Sequence, residues 1–100
     1  MILYNVTITI DQEIEEDWKH WMLANHIPDV MNTGKFEDFK MLKMLSHPPD
    51  EGVTYVVQYF AKNQQALDDY QRHHAPELQK EHSERYAGKF AAFRTLLEVM

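Results

Sequence analysis

Ile2, Tyr4, Val6, Ile8 and Ile10 alternate with Leu3, Asn5, Thr7 and Thr9 at the start of this chain. A strict period of two, rich in β-branched residues, fits a strand and not a helix. The spacing predicts a strand over residues 1–10. One of its faces is wholly apolar and has to be covered by another layer. The same pattern returns twice. Val53, Tyr55, Val57 and Tyr59 share a side of a strand over 53–60. Phe93, Thr95, Leu97 and Val99 alternate with Ala92, Arg94, Leu96 and Glu98 in a last strand over 90–100.

Between the strands the period changes to that of a helix. Ile14, Trp18, Trp21, Met22 and Asn25 fall on one side of a helix over about 12–26. Asp11 is its expected side-chain cap, and Glu13, Glu15, Glu16 and Asp17 crowd its positive end as a solvated helix start. Pro28 disfavours a helical Ile27, so a break or reorientation is expected there, with one more turn at Asp29-Val30-Met31 as an open alternative. Asn63 caps a second helix carrying Ala66, Leu67, Tyr70 and His74. Pro76 breaks that helix, and Leu78, His82 and Tyr86 line its second half. Gly88 suits the left-handed residue beyond its end.

Residues 35–46 fit neither period cleanly. A strand with a bulge near Asp38 resolves the phase slip between Phe36 and Phe39, and a helix is the open alternative. His47-Pro48-Pro49-Asp50-Glu51-Gly52 reads as a hairpin-type loop. The order is therefore strand, helix, strand, strand, broken helix, strand. It predicts an α+β, ferredoxin-like βαββαβ domain over residues 1–100, with a four-stranded antiparallel sheet. Two helices cover one sheet face. Tyr and Phe occur on both sides of the third strand, so the other face is expected to bury itself in a homodimer.

Composition narrows the partners. The net charge is −6 with neutral histidines, which argues against nucleic acid and against an anionic membrane surface. There is no cysteine, which excludes disulfides, zinc–thiolate sites and iron–sulfur clusters. No leader pattern opens the chain and no apolar run approaches a membrane span, so a cytoplasmic protein is expected. Only three glycines are present and none forms a loop that cradles phosphate.

The candidate chemistry lies at two helix junctions, His26-Ile27-Pro28 and His73-His74-Ala75-Pro76. His26 and His74 are the candidate catalytic residues, because an imidazole held at a helix end can move a proton. The competing role is capping, in which a histidine only satisfies terminal carbonyls. Trp18, Trp21, Tyr55 and Tyr70 are the candidate ligand-binding walls. For the two tryptophans the competing role is core, more so for Trp21 than for Trp18. His26, His73, His74 and His82 are the conceivable metal ligands. No helix face carries a His-x-x-x-His pair, and neither a metal nor a cofactor is expected.

Trp21, His26, Pro28, His74, Pro76, Leu78 and the segment from Glu84-Arg85-Tyr86 to Phe90 resemble the dimeric α+β barrel superfamily. It includes antibiotic-biosynthesis-type monooxygenases, small isomerases and chlorite-dismutase-like relatives. A closer likeness is to an uncharacterised bacterial family, a domain of unknown function. It rests on the Met-Ile-x-Tyr-Asn-Val-Thr opening, Trp-x-x-Trp-Met and Arg-Thr-Leu-Leu-Glu. The resemblance implies the fold and a dimer. Two readings of function follow. One is a small dimeric barrel protein without catalytic activity. The other is a small-molecule enzyme or ligand-binding protein, of cofactor-independent oxygenase or isomerase type, with a pocket between sheet and helices.

Overall fold

The computed structural model of the chain describes residues 1–46 and 51–100. The opening segment forms β1, Ile2–Ile10. It lies inside the sheet, between β3 (Val53–Ala61) and β4 (Phe90–Glu98), and pairs antiparallel with both. The edge strand β2, Phe36–Lys43, pairs with β3, giving the order β2-β3-β1-β4. The expected ferredoxin-like topology is the observed one. The register slips between Phe36 and Asp38. This is the expected bulge, and it sets both Phe36 and Phe39 towards the core. Of the expected hairpin loop, residues 47–50 lie outside the described residues.

The first crossover is one helical run in four pieces. A 3₁₀ turn (Gln12–Ile14) leads into α1 (Glu15–Trp21), a π-helical turn (Met22–His26) and α2 (Ile27–Met31). The break expected at Pro28 does not occur. Ile27 is helical, with φ −62° and ψ −45°, and its N–H reaches back five residues to the Met22 carbonyl. Pro28 has no N–H, and in an α-helix its ring would collide with the carbonyl four residues back. The wider π turn absorbs that misfit, so the helix continues and His26 ends up in the widened turn.

Asp11 does not cap with its side chain. Ile14 donates its N–H to the Asp11 carbonyl instead, at 3.1 Å, and the carboxylate lies 3.8 Å from Lys89 Nζ. The acidic run is more than a solvated helix start. The Tyr55 hydroxyl donates to Glu15 Oε2 at 2.6 Å, and Lys43 Nζ donates to the same oxygen at 2.9 Å. The Tyr86 hydroxyl donates to Asp17 Oδ2 at 2.8 Å. These bonds pin α1 to the sheet on one side and to the second crossover on the other. The Tyr55 hydroxyl, then Lys43, hold the Glu15 carboxyl below its ordinary range.

The second crossover is α3 (Gln64–His73) and α4 (Ala75–Arg85), which part at His74. Asn63 caps α3 as expected, accepting from the Ala66 N–H at 2.9 Å. Pro76 sits in the first turn of α4, where a missing N–H has no helical partner to lose. Gly88 adopts φ +74° and turns the chain into β4.

The core lies between the helices and one sheet face. Trp18, Ile10, Met22, Ile27, Leu67, Val30 and Val57 are its most deeply buried side chains. The opposite sheet face carries two apolar rows. Leu42, Val56, Thr7 and Phe93 are successive cross-strand partners in one, and Phe60, Leu3 and Leu97 in the other. Phe93 is 62% exposed and Leu97 45%. Tyr55 is not on this face. It is buried on the helix side beside Trp18, with ring centroids 5.0 Å apart.

Candidate functional site

Where the π turn of the first crossover meets α4, aromatic and imidazole rings gather over the sheet. Trp18 is fully buried, and its indole N–H donates to His82 Nε2 at 2.9 Å. That bond fixes His82 as the neutral tautomer with its proton on Nδ1. The His82 ring stands edge-on to Phe90 at 4.4 Å and to His26 at 5.8 Å. Trp21 covers both imidazoles, 5.3 Å from His26 and 5.8 Å from His82. Arg85 lies over the Trp21 ring at 5.5 Å.

A cavity of about 40 Å³ opens beside this cluster, between α4 and the sheet. His26, His82, Tyr59, Tyr70 and Arg94 supply most of its polar wall, and Val6, Ile8 and Val57 its apolar floor. Two buried atoms here find no protein partner among the described residues, His26 Nδ1 and the Tyr59 hydroxyl. A buried polar group without a partner costs about 1–3 kcal/mol, so two in one cavity need a reason.

Burial, more than any other cause, holds both imidazoles neutral. It pushes His26 down to about 4, with Arg94 adding to the effect and Asp29 opposing it. It pushes His82 down to about 4 as well, followed by His26 and Arg94. Burial also raises the Tyr59 and Tyr70 hydroxyls above their ordinary value, so both stay protonated donors.

The unfolded chain binds the imidazole protons near pH 6.5, whereas the folded chain binds them only near 4. Stability is therefore complete above about pH 6.5 and falls as the pH drops towards 4. Each ring contributes at most about 3 kcal/mol of that loss, and the two are coupled, so the sum is smaller. Glu15, whose carboxyl is held low, adds its own loss only below about 4.5. Urea midpoints at pH 7.5, 5.5 and 4.5 measure the slope. Equal midpoints across that range would contradict the buried, neutral imidazoles.

The candidates read from the sequence separate in space. His26 and Tyr70 line the cavity. Tyr70 also packs edge-on against Tyr4 and Phe36. Trp18 and Tyr55 stand in the core behind the cavity, and Trp21 is half-buried, so the order of burial expected for the two tryptophans is reversed. His74 stacks on Tyr70 at 6.3 Å and lines a different, open surface groove of about 280 Å³ with His73, Asp29 and Glu81. Its backbone N–H bonds the Tyr70 carbonyl at 2.9 Å. Among the described residues no three metal-binding side chains converge.

Tyr59 and Arg94 were not among the expected site residues, yet both line the cavity. Their signals were the alternation in β3 and β4. Tyr59 shares the core side with Val57, and Arg94 shares it with Ala92, whose partner is Ile8. A cation in that register marks where the covered face reaches solvent, since Arg94 is exposed.

Comparison with known proteins places the fold. The family described as "Domain of unknown function (DUF4286)" matches residues 1–100. Among curated proteins no match is found. A putative antibiotic biosynthesis monooxygenase from Nitrosomonas europaea superposes with a TM-score of 0.70 at 11% identity, over 100% of this chain and 99% of that one. SnoaB, a cofactor-independent oxygenase from Streptomyces nogalater, gives 0.69 at 11%, over 99% and 92%. The heme-degrader MhuD from Mycobacterium tuberculosis, solved with two hemes bound in its active site, gives 0.72 at 15%, over 100% and 96%. At these identities the likeness is one of fold. No helix among the described residues is long and apolar enough to cross a membrane.

Proposed function

We propose that this chain, which belongs to the DUF4286 family, is a homodimeric α+β barrel protein that binds a small molecule in the cleft between α4 and the sheet. The observation that carries the reading is that two residues lining one cavity, His26 and Tyr59, each keep a buried polar atom, Nδ1 and the hydroxyl, without a partner among the described residues. A fold optimised only for stability removes such groups, whereas a binding site keeps them at a cost. The π turn that presents His26 points the same way, since such turns recur at functional sites. Proteins of this fold include one with ligand bound in its active site, the heme-degrader. In this reading His26 is the polar group inside the cleft and Tyr70 part of its wall. Trp18 and Trp21 hold the two imidazoles from outside, and Tyr55 anchors α1. His74 belongs to the outer groove. The homodimer is supported by the two apolar rows on the uncovered sheet face.

A second reading is a structural dimer whose cavity holds only water. A cavity of about 40 Å³ admits two or three molecules. Tyr59→Phe separates the two. It removes an unpartnered hydroxyl, so the melting temperature stays level or rises by a few degrees, about 1 kcal/mol or less. If the cleft binds a ligand, the same variant weakens that binding. A thermal-shift panel of small organic acids, amides and alcohols on both proteins reads this out. A ligand at one hundred times its Kd adds about 2.7 kcal/mol of stability. A panel with no shift on the parent protein, or with shifts indifferent to Tyr59→Phe, would remove the ligand reading.

A further inference from the structure

Among the described residues Arg94 is the one permanent charge on the cavity wall, and none of those lining it is Asp or Glu. This is unusual in a chain of net charge −6. The guanidinium makes no ion pair among the described residues, as is also true of the exposed Lys40, Lys62 and Arg72, but of these four only Arg94 lines the cavity. Its charge is nevertheless felt inside the cleft, at His26, His82 and Tyr70. The remaining polar groups there are neutral. The buried Tyr59 hydroxyl has no partner among the described residues, and burial keeps the imidazoles uncharged at neutral pH. Asp29, whose carboxylate acts on His26, lines the separate surface groove. An uncompensated guanidinium beside a free hydroxyl donor is complementary to an anion and indifferent or hostile to a cation.

We infer that the cleft takes a small monocarboxylate, with Arg94 supplying the charge and Tyr59 a hydrogen bond from within. The inference rests on the ligand-binding reading above and adds the class of ligand to it. Size limits the group that enters. The cavity of about 40 Å³ matches a carboxylate and its first carbons held between Arg94 and Tyr59, and the rest of a larger acid lies towards the exposed Ser83.

The test pairs acids with their neutral isosteres. Acetate and acetamide, propionate and propionamide, and benzoate and benzamide are titrated into the parent protein, Arg94→Gln and Arg94→Lys, followed by backbone amide shifts. Arg94 is exposed, so both variants should fold, and their unperturbed spectra verify it. The expected result is saturable shifts at Tyr59, His26 and Arg94, with each acid binding about tenfold or more tighter than its amide. Arg94→Gln abolishes that preference, and Arg94→Lys keeps part of it. Amides binding as well as acids would overturn the carboxylate assignment and leave the ligand-binding reading standing. No saturable shift at the cleft from any compound would overturn both.

Discussion

Replacing Trp18 with alanine should lower the folding free energy by about 3–5 kcal/mol, the range for removing a large buried aromatic. That is a large share of the stability of a domain this size, usually about 5–15 kcal/mol in total. Two losses combine. The indole is fully buried among α1, β3 and α4, and its removal leaves a void that rigid neighbours cannot fill. Its N–H is also the partner of His82 Nε2. Trp18→Phe isolates the second loss, keeping most of the ring but orphaning a buried acceptor, at about 1–3 kcal/mol. Trp21→Ala should cost less than Trp18→Ala, because Trp21 is half-buried and makes no recorded hydrogen bond. Urea denaturation of the three variants ranks them. A Trp18→Ala protein within about 1 kcal/mol of the parent would mean that the cluster around His82 is not the keystone between the two crossovers.

The second large effect concerns assembly. The parent protein should scatter light as a particle of twice the 11.9 kDa chain mass. Phe93→Lys should return it to the mass of one chain. Phe93 is 62% exposed at the end of the row Leu42–Val56–Thr7–Phe93. In a two-fold interface the substitution is made twice, and an aromatic at such a centre is commonly worth about 2 kcal/mol or more. The dissociation constant should therefore rise at least about thirtyfold. Gln65→Lys, on the exposed side of α3, should leave the mass unchanged. A parent protein of single-chain mass at micromolar concentration would sink the dimer. The row Lys40–Gln58–Asn5–Thr95 runs between the two apolar rows and gives the face a polar stripe.

Much of this was legible in the residues because it is local. The alternation of Ile2 to Ile10, the Asn63 cap and the bulge before Phe39 are decided by neighbours within a few positions. Topology then followed from the order of elements. The site was legible only in part. His26 stood out through its place before Pro28, but the proline was expected to end the helix. It widened a turn instead, because a π turn moves the obstructing carbonyl aside at lower cost than ending a well-packed helix.

What the sequence determined by itself was therefore the fold class, the two crossovers and the two junctions that bear histidine. Only the tertiary structure decided which histidines meet. His74 and His26, similar in local pattern, part company, because α3 and α4 separate at His74 and it is α4 that lies against the π turn. His82, sixty-four residues from Trp18 along the chain, becomes its hydrogen-bond partner. Arg94 and Tyr59 join the site through strand register, since pairing with β1 sets them opposite Val6 and Tyr4 on the covered face. Contacts of that range depend on how layers pack, and no local pattern of residues encodes them.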